Sequence, residues 1–286
     1  MRYERPQTIE DATALLAGGA GKSYVLAGGT DLLVRMQNDA FEADLIVDIK
    51  GIDGMGDIRR TNGDFVIGAG VPCAQLEETA DLVAAWPGVV EGANLIGSTQ
   101  IQGRCTVVGN LCNASPAADS VPAMVAADAR VRIAGPDGTR EAAILDIPTG
   151  PGKTSLGAGE IIEAVILPAR PARSSDAYLR FTPRTEMDIA VVGVGVNLTL
   201  DDSGIITAAR VALGAVGPKV MLVDAAAEAI IGTKLDDAAL DALGEAASAA
   251  ASPIDDKRGT VAFRKQVAGV LTRRAAQTAY TRAGGK

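Results

Sequence analysis

The sequence predicts a mixed helix-and-strand protein of two or three folding units, and three observations carry that reading. The chain has 286 residues, 48% of them hydrophobic, enough to bury a large core and to divide it. Helical and strand-like hydrophobic periods alternate without a long structureless linker. A stretch rich in Pro, Arg and Ser, PARPARSSD at 168–176, marks the main boundary: mixed short elements precede it, and a strand meander with alanine-rich helices follows.

The elements follow in order. TIEDATALLA (8–17) reads as a capped helix, with Thr8 before a polar first turn and Ile9, Ala12, Leu15 and Leu16 at helical spacing. SYVLAGGTDLLVRM (23–36) is a short apolar strand, a Gly-Gly turn and a second apolar segment. LIVDI (45–49) and FVIGAGV (65–71) are β-branched runs bounded by Gly and Asp, hence strands. A helix is expected over 82–96, tolerating or bending at Pro87. AADSVPAMVAADA (117–129) is helical, ARVRIAGPDGTREAAIL (129–145) a hairpin turning at Pro136-Asp137-Gly138, and EIIEAVILP (160–168) a strand. Beyond the boundary, 189–217 reads as a meander with a turn at DDSG, followed by three alanine-rich helical stretches.

Composition excludes several functions. Against 27 basic residues stand 35 acidic ones, a net charge of −8 that repels nucleic acid and anionic lipid. No apolar run approaches the roughly twenty residues of a membrane span, and MRYERPQTIEDA lacks the apolar core of a secretory signal. Cys73, Cys105 and Cys112 form neither an even disulfide set nor a CxxC pair, so a cytoplasmic location is expected. The chain has no histidine, which removes the commonest general base and metal ligand. No metal site is expected.

Two Gly-Lys pairs, in AGGAGKS (17–23) and TGPGKTS (149–155), suggest phosphate loops, but the opening Gly of GxxxxGK[ST] would fall at Leu16 and Ile147. VGVGVNL has Gly193 and Gly195 but Leu198 where GxGxxG needs its third Gly, and reads as a strand with close neighbours. LAGGTDLLVRM (26–36) is different. A strand entering Ala27-Gly28-Gly29-Thr30-Asp31 offers successive accessible amides and a hydroxyl, the arrangement of a diphosphate nest; a tight strand-to-helix turn is the alternative. TVVGNLCNASPAADS (106–120), dense in small residues and turn signals, is either an ordinary connection or an open loop against a ligand.

Taken in that order, LAGGTDLL and TVVGNLCNASPAAD resemble the FAD-binding subunit or domain of molybdenum hydroxylases, the family of carbon monoxide dehydrogenase medium subunits and xanthine dehydrogenase flavin domains. The likeness extends through PTGPGKTSL, GEIIEAVILP, the R-x-x-x-D-I-A element at 184–190, GAVGPKVMLVDAAAEAIIG and DDKRGTVAFRKQVAGVLTRR. It implies an α+β fold of the vanillyl-alcohol-oxidase-like (PCMH) type: a FAD-binding domain over 1–172, with subdomains of about 1–55 and 56–172, and a smaller α+β C-terminal domain over 173–286. It implies that Leu26, Ala27, Gly28, Gly29, Thr30, Asp31 and Leu32 cradle the FAD diphosphate. Thr106, Gly109, Asn110, Ser115 and Asp119 would contact the same cofactor, with Ile96, Ile162 and Arg180 near the flavin. Two positions depart from the family pattern: Val108 replaces the first glycine of the usual Thr-Ile-Gly-Gly-Asn, and Cys105 stands where Gly is common.

The function implied is an FAD electron-transfer subunit. A large molybdopterin subunit would hydroxylate substrate, a small subunit with two 2Fe–2S clusters would relay electrons, and this chain's FAD would deliver them to NAD, oxygen or quinone. The assembly implied is a dimer of heterotrimers. A flavin-free scaffold subunit and a free-standing flavin oxidase of the same fold are the competing readings.

Overall fold

The computed structural model describes residues 1–19 and 21–285. The discounted motif at 17–23 crosses Ala20 and lies partly outside them. Thr8 caps the helix Ile9–Gly18, its hydroxyl accepting the Asp11 amide at 3.1 Å. Around this helix forms a parallel sheet in the order Arg2–Glu4, Leu45–Asp48, Ser23–Leu26. The central strand buries all four of its residues, as a parallel strand flanked on both edges must. Between the strands Ser23–Leu26 and Leu45–Asp48 runs the helix Leu32–Gln37, so the Gly-Gly turn lies at a strand's carboxyl end.

A five-stranded antiparallel sheet follows, ordered Ile58–Thr61, Asp64–Gly68, Ile161–Leu167, Arg130–Gly135, Gly138–Ala143. Gly138, at φ +117°, closes the expected hairpin with a conformation other residues avoid. The single helix expected over 82–96 is two helices, Ala80–Ala85 and Pro87–Ala93, broken at Trp86. Proline has no N–H to continue the first helix, but suits the first position of a new one. Ile96 consequently lies beyond the helix. The stretch read as an open loop at 106–120 also differs. Val107–Cys112 is helical, capped by Thr106, whose hydroxyl accepts the Gly109 amide at 2.8 Å. The turn signal Gly109-Asn110 is therefore spent inside a helix.

The third sheet is the expected meander, Ser174–Phe181, Val192–Leu200, Ile206–Gly214 and the short Met221–Leu222, backed by the helices Asp224–Glu228, Asp237–Ala250 and Val261–Arg282. Helix Ser120–Ala126 buries every residue and packs between this sheet and the first core, which contains Ile67, Trp86, Met124, Ile133 and Val165. Gly195, once a candidate motif residue, permits that approach: a Cβ there would lie 2.5 Å from Pro122 O. Among the described residues no helix is long and apolar enough to cross a membrane.

Candidate cofactor-binding cleft

A cleft of about 300 Å³ opens where the parallel sheet faces the five-stranded sheet. One wall is the turn from Ala27 to Asp31, at the strand end where ligands of parallel sheets collect. The capped helix after Thr106 forms the second. Ile96, Leu156 and the start of strand Ile161–Leu167 close the third.

At Gly28 the first two walls touch backbone to backbone. A Cβ on Gly28 would lie 2.1 Å from Arg104 O and 2.9 Å from Cys105 Cα, so only glycine lets the segments meet. Gly29 has φ +78°, and there a Cβ would meet Leu26 and Leu33 rather than the cleft. Among the described residues the amides of Ala27 through Asp31 have no protein acceptor, while Gly29 O and Asp31 O receive Leu33 N and Arg35 N, each at 3.0 Å. A row of free amides with no side chain in front fits a phosphate-bearing group. Farther along, Asn113 donates to the Asp31 carboxylate at 3.2 Å, joining the walls a second time. Burial pushes the Asp31 carboxyl above its ordinary range, although Arg35 opposes the shift. Below the turn, Lys50 Nζ donates to Ala27 O at 3.1 Å and to Asp48 at 2.8 Å, and Tyr3 donates to the same carboxylate at 2.6 Å. Burial would raise Asp48, but the hydrogen bonds from Lys50 and Tyr3 outweigh it and hold the carboxyl low.

On the second wall, the Asn110 side-chain oxygen accepts both the amide and the hydroxyl of Ser120, at 3.3 and 2.8 Å, which turns its NH₂ away from Ser120. Val108, at the position that departs from the family's glycine pattern, is 5% exposed and joins the core while edging the cleft.

Of the residues expected at the cofactor, Ala27 through Leu32, Ile96, Thr106, Gly109, Asn110 and Ile162 line this one cleft. Four do not. Leu26 is buried beneath the turn, and Ser115 is exposed, its hydroxyl accepting the Ala117 amide. Asp119 and Arg180 form a buried pair at 2.7 Å, with Tyr178 donating to Asp119 at 3.0 Å and Arg180 donating to Leu95 O at 2.8 Å. Burial pushes the Asp119 carboxyl up to about 6 against the pull of Arg180 and Tyr178. This network grips the backbone beside Ile96.

Sequence reasoning missed Tyr24, Arg35, Cys105, Asn113, Leu156 and Glu160 in the lining. Tyr24 stacks on Phe41 with ring centroids 4.3 Å apart. Glu160 is held by Arg140 at 2.6 and 2.8 Å and by the Gly157 amide, and these bonds, Arg140 first, bring its carboxyl to about 2. The Gly-Glu that opens the Ile161–Leu167 strand was the available signal for Glu160; nothing local marked Tyr24 or Leu156.

Sheet ends, free amides and two backbone walls in contact define a protein that binds an extended, phosphate-bearing cofactor. Residues 1–170 match the family model described as the FAD binding domain in molybdopterin dehydrogenase, and residues 177–279 match the CO dehydrogenase flavoprotein C-terminal domain. The chain belongs to that family: it is an FAD-binding subunit of a molybdenum-containing oxidoreductase. It is 32% identical to the carbon monoxide dehydrogenase medium chain of Afipia carboxidovorans, over 98% of this chain and 97% of that one. To the xanthine dehydrogenase FAD-binding subunit of Escherichia coli O157:H7 the identity is 30%, over 99% and 97%. Reconstituted CO dehydrogenase from Oligotropha carboxidovorans superposes with a TM-score of 0.94 at 32% identity, covering 99% of this chain and 98% of that chain. Quinoline 2-oxidoreductase from Pseudomonas putida 86 shares the fold, with a TM-score of 0.90 at 23% identity over 99% and 98%. The α+β PCMH-type fold and the FAD cofactor expected from the motifs are thereby established.

Proposed function

We propose that the chain is the electron-transfer component of a molybdenum hydroxylase, taking electrons from 2Fe–2S clusters in a small partner subunit and passing them to NAD, oxygen or quinone. A large molybdopterin subunit completes the complex, as a dimer of heterotrimers. Net charge −8 argues against nucleic acid as a partner, and three free cysteines suit the reducing cytoplasm. The division of labour proposed within the chain is 1–172, in parts of about 1–55 and 56–172, for the cofactor, and 173–286 as a supporting C-terminal domain.

The observation that carries the reading is the contact of Gly28 with the Arg104–Cys105 backbone, which brings both glycine-bearing segments to one cleft. Bound FAD supplies a carrier able to accept two electrons and release them in steps. The protein holds and aims it. Amides of Ala27 to Asp31 and the Thr30 hydroxyl take the diphosphate, and the Asn110 NH₂ adds a neutral donor. Ile96 and Ile162 offer apolar walls against which a planar ring can lie dry. The Asp119–Arg180 pair positions Ile96 through Leu95 O. No residue here needs to move a proton, consistent with a relay rather than a substrate-transforming site.

The purified complex should carry noncovalent FAD near one per chain, measured by acid release and chromatography. Only FMN, or no flavin in an intact complex, would overturn the reading.

A further inference from the structure

Arg35 is the only cationic side chain among the described residues that line the cleft. It stands one turn after Asp31 in the helix Leu32–Gln37, its amide bonded to Asp31 O at 3.0 Å. Helical side chains lean back toward the N-terminus, here toward the turn of free amides. The chain after the helix builds a seat for its guanidinium. Asp39, in the left-handed region at φ +51°, reverses the backbone, and Ala40 N donates to Arg35 O at 3.0 Å. Phe41 is thereby brought back under Arg35, whose guanidinium carbon lies 5.0 Å from the ring centroid. The same ring stacks on Tyr24 of the cleft wall, centroids 4.3 Å apart. A ring face holds a cation without occupying its N–H groups. Among the described residues the Arg35 guanidinium has no hydrogen-bond acceptor and no paired carboxylate.

We propose that Arg35 clamps the cofactor's diphosphate from the mouth of the cleft and so supplies the charge that the amide cradle lacks. The proposal rests on the reading that FAD lies in this cleft. The free amides, the Thr30 hydroxyl and Asn110 are neutral donors, whereas a diphosphate brings negative charge to a cleft that already holds Asp31 and Glu160. Arg140 covers Glu160 at 2.6 and 2.8 Å. Asn113, the hydrogen-bond partner of Asp31, is uncharged. Arg35 is therefore left to offset both the Asp31 carboxylate and the incoming phosphates. Its planar fork of donors suits two phosphate oxygens at once.

Because Arg35 is exposed at the cleft mouth, its pull on a phosphate is open to screening by salt. The test titrates the full chain, stripped of flavin, with FAD at ionic strengths from about 0.02 to about 0.5 M, reading flavin fluorescence. Parent protein should bind FAD more weakly as salt rises. Arg35→Gln should weaken binding about tenfold at low salt and flatten the salt dependence. Arg35→Glu should weaken it further, while Arg35→Lys should keep the dependence and most of the affinity. Arg60 is the matched control: its guanidinium lies 5.2 Å over the Phe65 ring, outside the cleft. Arg60→Gln should change neither affinity nor salt dependence.

A salt-independent parent, an Arg35→Gln variant with parental affinity, losses that do not follow the charge at position 35, or an equal loss in Arg60→Gln would overturn the proposal. A parent that takes up no FAD, or a Gly28→Ala variant that binds it as the parent does, would overturn the cleft reading and the clamp with it. Binding that depends on Gly28 but not on Arg35 would overturn the clamp alone.

Discussion

At the residue scale, the cleft depends most on Gly28. Gly28→Ala places a methyl against backbone that cannot swing aside, an overpacking worth about 1–3 kcal/mol, and it should strip most of the FAD. Gly18→Ala is the control: nothing lies within 4 Å of its Cβ, so flavin content should match the parent. Equal flavin in the two variants would place the site elsewhere. Asp119 offers a second test, through pH. Its folded carboxyl titrates near 6, above the unfolded value of 3.8, so the native state holds the extra proton in between. Its contribution to stability is full below about pH 4 and lost as pH rises through 6. Denaturant midpoints of parent and Asp119→Asn, measured between pH 4 and 7, should show the parent losing ground by on the order of 2 kcal/mol; a constant difference would contradict the burial argument. Gly28 and Thr30 were legible because turn chemistry is local. The pairing of Asp119 with Arg180 was not, because 61 residues separate them and only the packed sheet brings them together.

At the element scale, the second wall stands on one cap. Thr106 holds the Gly109 amide, and the helix it starts has only six residues, so little else secures that end. Thr106→Val keeps the shape and removes the acceptor, at a cost of about 1 kcal/mol. FAD affinity should fall several-fold with a small loss in thermal midpoint, and Thr106→Ser should restore both. A Val variant with unchanged affinity would show that the cap does not govern the wall. The strands, the first helix and the C-terminal meander were readable because their hydrophobic periods are sustained or their caps stand just ahead of an apolar run. The helix after Thr106 was not. Its Val107-Val108 start and Gly109-Asn110 interior are poor helix formers, and it forms because Val107, Val108 and Leu111 bury into the core. Pro87 shows the same limit from the other side. Its presence announced a break, but the choice between a kink and a fresh start was made by Trp86, which is 2% exposed and leaves the helical path to reach the core.

At the scale of the whole molecule, a charged seam ties the C-terminal sheet to the cofactor unit. Arg170 lies 3.7 Å over the Trp86 ring and pairs with Asp176 at 2.7 Å, while Asp176 also accepts the Val89 amide at 3.0 Å. From the last helix, Arg282 donates to Asp176 O at 3.0 Å and pairs with Glu91. The C-terminal unit therefore braces the elements that carry Ile96, but it adds no cluster of metal ligands: among the described residues none is found. On the proposed reading the chain's FAD receives electrons from a partner's clusters and does not take them from an organic substrate. Isolated and loaded with FAD, it should be reduced by dithionite yet stay oxidised under anaerobic titration with the substrate of its complex. In the intact complex, the same titration should bleach the flavin. A complex stripped of FAD should still bleach its iron–sulfur absorbance with substrate while losing turnover to the final acceptor, because the break then falls after the clusters. Flavin reduction by substrate in the isolated chain would mean that this cleft performs substrate chemistry itself, and the molecule would have to be read as a self-sufficient oxidase.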